Sequence, residues 1–181
     1  MIGNKKNLTI FFSLIIGLSL LSISVTALIS PQEVIKDTAP FIGFYAPGFS
    51  LYDLNGISFD ISDFEGKPVI IFFWASWCSV CKSIIPDLQS TYEKYSRDYI
   101  DIISINMTYQ DQLPAVKAYV SENEITFPVL IDPTGDVSVS YNIRALPTAY
   151  IINPDGIIHS IIIGNGLTSA YIQSQLVLME P

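Results

Sequence analysis

The sequence predicts an α/β domain in three layers, a central mixed sheet with helices on both faces, entered through a β-hairpin. Three features carry the prediction. PVIIFFW (68–74) is a continuous apolar run of the kind a strand buried on both faces requires, and IDIISINM (100–107) reads as a second such strand. Helical stretches separate these strands, so they join through crossovers and run parallel. Asn55-Gly56 and Pro154-Asp155-Gly156 each lie between strand-like segments, which marks hairpin turns.

FSLYDLNGISFDISDF (49–64) alternates apolar and polar residues on both sides of Asn55-Gly56 and supplies the first hairpin. After the first buried strand, Ile84, Ile85, Leu88, Tyr92 and Tyr95 recur at helical spacing, predicting a helix from Ser79 to about Arg97 interrupted by Pro86. Asp111 is placed to cap a helix running to about Asn123, and Pro114 falls early enough in it to be tolerated. FPVLID (127–132) gives a strand, GDVSVSYNI (135–143) a short helix, and PTAYIINPDGIIHSIII (147–163) the second hairpin. LTSAYIQSQLVLM (167–179) closes the domain as a helix with an apolar stripe. The order is β-hairpin, βαβαβ, short helix, ββα.

Upstream, Lys5 and Lys6 precede Leu8 to Ile29, a stretch of 22 residues without a charge. That length spans a bilayer and exceeds a usual signal-peptide core, which favours a retained signal anchor, although Val25-Thr26-Ala27 also offers a cleavage site for a signal peptide. In either case the lysines keep the amino terminus inside and everything after residue 30 is exported. The expected organisation is a signal anchor or signal peptide over 1–30, a proline-containing linker over 31–47 and one domain over 48–181. Without Lys5 and Lys6, seven basic residues against 17 acidic ones give the exported part a net charge of −10. Nucleic acid is excluded as a partner on that balance, and anionic lipid is disfavoured.

The chain has two cysteines, and both lie in FFWASWCSVCK (72–82). A thiol at the junction of a buried strand and a helix sits where unpaired N–H groups and the helix dipole favour the thiolate. Cys81, one turn on, is placed to attack a mixed disulfide formed by Cys78 and to release the partner reduced. A purely structural pair is the bland alternative, but its short loop would remove little chain entropy once oxidised. Closed zinc coordination wants four ligands, and two cysteines with the single His159 do not supply them. His159 itself reads as an ordinary strand histidine.

With APGFSLYDLNG (46–56), GKPVIIFFWASWCSVCKSIIPDL (66–88) and ALPTAYIINPDGII (145–158) together, the sequence resembles the thioredoxin superfamily and, within it, the membrane-anchored TlpA/ResA-like thiol-disulfide oxidoreductases. The resemblance covers roughly residues 45–178. It implies a thioredoxin-like fold with an N-terminal β-hairpin and an inserted βα unit, with Cys78 as exposed nucleophile and Cys81 as buried resolving thiol. It further implies a kinked helix at Pro86 and a cis peptide at Pro147. Leu146 would pair through its backbone with a bound substrate segment beside Pro147, and Trp77 would belong to the docking surface, while Trp74 packs in the core.

Two positions depart from that pattern. Phe72 stands where many thioredoxins place a buried aspartate, and Ile84 stands where ResA-like proteins often place a glutamate. Both familiar proton acceptors for Cys81 are thus missing. Copper-binding relatives space their cysteines as CxxxC, and peroxiredoxins set theirs in PxxxTxxC; this chain has neither. The expected function is extracytoplasmic exchange of a Cys78–Cys81 dithiol with protein cysteine pairs, as a reductant fed by a membrane thiol-electron donor. Apocytochrome c is the client the resemblance favours. The protein is expected to be a monomer inserted by its N-terminal helix, with no cofactor and no metal. A redox-inactive binding module, or an oxidant that donates its disulfide, are the alternatives.

Overall fold

The computed structural model describes residues 37–96 and 99–179. The predicted signal or anchor segment 1–30, and the first part of the expected linker, lie outside the described residues. Five strands form the central sheet: β3 (Val69–Trp74), β4 (Asp101–Asn106), β5 (Val129–Ile131), β6 (Thr148–Ile152) and β7 (Ile158–Ile163). Their order is β5-β4-β3-β6-β7, with β1 (Ser50–Tyr52) and β2 (Ser58–Asp60) paired as a separate hairpin. β3 pairs parallel with β4 and antiparallel with β6, so the sheet is mixed as predicted. The helices are α1 (Ser79–Tyr95), α2 (Leu113–Glu122), α3 (Asp136–Ser140) and α4 (Ser169–Met179).

Every residue of β3 is buried, because alternate side chains feed two different cores. Ile70, Phe72 and Trp74 pack with Cys78, Cys81, Leu88, Val116 and Ile172, the face covered by α1, α2 and α4. Val69, Ile71 and Phe73 pack with Leu51, Phe64, Val137 and Tyr141, the face covered by α3 and the hairpin. A continuous apolar run is what that two-sided burial demands.

Both hairpins turn by the same chemistry. In the first, Asp53 Oδ1 accepts hydrogen bonds from Asn55 N and Ile57 N, both at 2.8 Å, and Gly56 takes φ +81°. In the second, Asn153 Oδ1 accepts from Asp155 N (3.1 Å) and Ile157 N (2.9 Å), and Gly156 takes φ +83°. An Asx side chain holding the loop amides, with glycine at the left-handed position, fixes each turn.

Residues 37–47, read as linker from the sequence, pair with the domain: Tyr45 bridges to Ile157, and Ala46 N donates to the Gly156 carbonyl at 3.0 Å. Proline and charge in residues 37–47 mask a segment whose backbone pairs along the exposed edge beside β7, a source of hydrogen bonds that composition does not reveal. The residue at the N-cap of α2 is Gln112, not Asp111, and Gln112 caps with no side-chain bond; the Asp111 carboxylate is engaged elsewhere. The closing helix lays Ile172, fully buried, with Tyr171, Leu176 and Met179 against the core as its apolar stripe predicts, and leaves Val177 and Leu178, each 68% exposed, off that face.

Leu88, fully buried at the centre of α1, is expected to cost about 2–5 kcal/mol when changed to Ala. Val139→Ala, at a position 77% exposed on α3, is expected to stay within about 0.5 kcal/mol. Equilibrium urea unfolding of both variants checks the contrast.

Candidate active site

β3 ends at Trp74, and three residues later the chain enters α1 with Cys78 as the N-cap, φ −82° and ψ 105°. Extended geometry at that residue turns its Sγ back over the first helical turn, where it accepts a hydrogen bond from Cys81 N at 3.1 Å. Cys78 and Cys81 are joined as a disulfide with Cα atoms 5.3 Å apart. Cys78 is 7% exposed and Cys81 is fully buried, so only the first sulfur presents any surface to an incoming group. Free amides and the positive end of the α1 dipole favour negative charge on that sulfur when the bond opens.

The strand-to-helix turn is held from the side by the loop that follows β4. The Asp111 carboxylate accepts hydrogen bonds from Ser76 N (2.5 Å), Ser76 Oγ (2.6 Å), Asn106 Nδ2 (3.0 Å) and Gln112 N (2.7 Å). Burial alone would raise the Asp111 pKa. The bonds from the Ser76 side chain and backbone, then from Asn106 and Gln112, outweigh it and hold the carboxyl below the ordinary 3.8. One residue on, Trp77 donates from Nε1 to the Gln110 carbonyl at 2.9 Å, which fixes an indole that is 59% exposed. Sequence reading missed this clamp, since Asp111 and Ser76 are 35 residues apart and no local pattern links them.

Leu146–Pro147 is a cis peptide. Thr148 is the register partner of Phe73, which puts Pro147 at the same end of the sheet as the turn carrying the cysteines. Leu146 is half-buried and packs against the core cluster that contains both cysteines. The Pro147 carbonyl accepts from Gly164 N at 2.9 Å, tying this segment to the end of β7.

Around Cys81 the surroundings are apolar. Phe72 (0% exposed) and Ile84 (4%) belong to the same cluster, so neither position offers a carboxylate to the buried sulfur. Ser104, register partner of Phe72, and Trp74 carry the two buried polar side-chain atoms, Oγ and Nε1, that have no hydrogen-bond partner among the described residues. Lys82 Nζ lies 4.9 Å from the centre of the Tyr119 ring, a cation–π contact on the helix surface. His159 lies on β7, separated from β3 by β6. Among the described residues no group of three or more His, Cys, Asp or Glu side chains is placed to hold a metal ion.

A five-stranded mixed sheet with the paired cysteines at the start of its first long helix defines a thiol-disulfide oxidoreductase of thioredoxin-like fold. The chain belongs to the AhpC/TSA family, whose model matches residues 42–161. Thiol-disulfide oxidoreductase ResA of Bacillus cereus is 34% identical over 152 residues, covering 84% of this chain and 86% of that protein. ResA of Bacillus subtilis is 31% identical over 139 residues, covering 77% and 76%. Among solved structures, StoA of Bacillus subtilis aligns with a TM-score of 0.64 at 28% identity, covering 71% of this chain and 95% of that one. These relatives bear out the TlpA/ResA-like resemblance read from the three sequence motifs.

Removing the clamp tests its worth. Asp111→Ala is expected to destabilise the domain by about 1–3 kcal/mol at pH 7, because Ser76 and Asn106 lose a charged acceptor. The folded-state pKa is depressed, so this stability is present above the unfolded value and is lost as pH falls through the folded one. Urea unfolding at stepped pH should therefore show the gap between variant and parent closing below the ordinary 3.8.

Proposed function

We propose that the protein is an extracytoplasmic oxidoreductase, tethered to the outer face of the membrane by its N-terminal segment, that reduces the cysteine pairs of other proteins. The observation that carries this reading is the asymmetry of the pair: a sulfur with some exposure at a helix N-cap, backed by a fully buried one. In the reduced protein the Cys78 thiolate attacks one sulfur of a client disulfide. A mixed disulfide forms, the client S–S bond breaks, and the second client sulfur leaves as a thiolate. Cys81 then attacks Cys78 Sγ, re-forms the Cys78–Cys81 bond and expels the first client sulfur. Two electrons pass to the client, and the two protons of the enzyme dithiol end on its thiols.

Trp77 and the Leu146–Pro147 segment are assigned the docking of the client chain, with Trp77 covering its side chains and the Leu146 backbone pairing with it. Phe72 and Ile84 leave deprotonation of Cys81 to water, backbone groups or the client, which slows resolution relative to a site with a carboxylate. Electrons return from a membrane thiol carrier, because no NADPH is supplied outside the cytoplasm. Apocytochrome c, whose haem-binding cysteines must be reduced, is the client that the TlpA/ResA-like resemblance favours.

The potential of the pair decides the direction of transfer. Equilibration in glutathione or dithiothreitol buffers, followed by tryptophan emission, is expected to give a value below about −230 mV; one above about −150 mV would make the protein a disulfide donor. Cys78→Ser is expected to abolish disulfide reduction, and Cys81→Ser to accumulate mixed disulfides with clients. Equal loss of activity in both variants without trapping would overturn the assigned roles.

A further inference from the structure

We propose that the turn Phe41–Phe44 inserts into the surface of the lipid bilayer and orients the domain with its cysteines facing away from the membrane. This rests on the membrane-tethered reading above and adds a contact which that reading does not require. The turn is rigidly held. Gly43 N donates to the Ile158 carbonyl and Ile158 N to the Phe44 carbonyl, both at 2.9 Å, while Tyr45 N donates to the Asp37 carbonyl at 3.1 Å. Gly43 makes the reversal at φ +89°, a conformation that side-chain-bearing residues rarely adopt. From this fixed backbone Phe41, Ile42 and Phe44 project with 55%, 61% and 41% exposure. Phe41 and Phe44 meet edge to face with centroids 6.4 Å apart, and Ile42 stands between them in the chain. Three large apolar side chains on a hydrogen-bonded turn form an exposed patch of the kind that marks an interaction site.

Register places this turn. Val69, the first residue of β3, pairs with Ile152, and the loop that follows Ile152 receives the turn through Gly156 and Ile158. Trp74, at the other end of β3, leads to Cys78, so the apolar turn and the cysteines lie at opposite ends of the sheet. Other apolar surface shares the end with the turn. A groove of about 440 Å³ is walled there by Pro68, Tyr95, Tyr99, Pro154, Leu176 and Val177, of which Tyr99 is 63% and Val177 68% exposed.

Seven residues, 30–36, separate the uncharged run Leu8–Ile29 from Asp37, whose carbonyl closes the turn. A segment of that length reaches at most about 25–30 Å when extended, so a bilayer that holds the run lies within reach of the turn. Charge selects the mode of contact. Asp37 and Asp155 are exposed beside the turn, and Lys67, at the same end of the sheet, is paired with Asp101 at 3.2 Å, so attachment is by apolar insertion and not by attraction to anionic headgroups.

The test uses the full chain in phosphatidylcholine vesicles whose acyl chains are brominated just below the headgroups. Ile42→Trp should add emission that bromination quenches at least twofold. The parent, carrying only Trp74 and Trp77, should be unaffected. Phe41→Ser with Phe44→Ser in the Ile42→Trp background should lessen the quenching, and adding phosphatidylglycerol should not deepen it. A chain that floats with the vesicles while its Ile42→Trp emission is red and unquenched overturns the inserted turn and leaves the tether standing. Blue-shifted but unquenched emission means that a second copy of the chain covers the turn, and likewise overturns the proposal. A chain that fails to float overturns tether and insertion together.

Discussion

β3 is buried on both faces and paired on both edges, and the rest of the domain is arranged to make that possible. Its backbone hydrogen bonds go to β4 on one side and β6 on the other, and its side chains divide between two cores. Its pairing runs out at one end, with β6 at Phe73 and with β4 at Trp74. It therefore ends at Trp74, and the polar turn Ser76–Trp77 carries the chain to the helix. The start of that helix has amides to spare and a favourable dipole, and its N-cap is Cys78. Placement of the redox pair thus follows from the burial of the strand before it.

A helix N-cap alone does not fix where the sulfur points. Here the turn is tied across the sheet to the loop after β4, through the Asp111 carboxylate on Ser76 and the Gln110 carbonyl on Trp77. Asn106, fully buried at the end of β4, adds a third strut to the same carboxylate. These bonds join two parallel neighbours at the end where the chemistry sits, so the exposed indole and the cysteine turn move as one piece. The opposite end of the sheet is built differently: a hydrogen-bonded turn, short hairpin loops and an incompletely buried helix end, with apolar groups turned outward. One end is thus clamped by polar bonds around a buried disulfide, and the other carries the exposed apolar turn.

Local chemistry dictates the element order, both hairpins and the reactive pair, and these are legible residue by residue. Asn55-Gly56 and Asp155-Gly156 need no distant residue to turn, a run such as PVIIFFW has no stable place except between two cores, and CSVC at a strand-to-helix junction puts its first cysteine at the helix N-terminus by local sequence alone. The absence of carboxylates around Cys81 was also legible, as Phe72 and Ile84, and both lie in the cluster with that sulfur.

Tertiary structure alone decided what depends on contacts between distant segments. Asp111 looks like a helix cap because Asp is a good one, yet Ser76 offers it two donors across the sheet and those prevail. Residues 37–47 look like linker because prolines and charges break any period, yet their amides find the free edge of β7. In each case the local preference is weak and a partner far along the chain settles the outcome, which no reading of neighbouring residues contains.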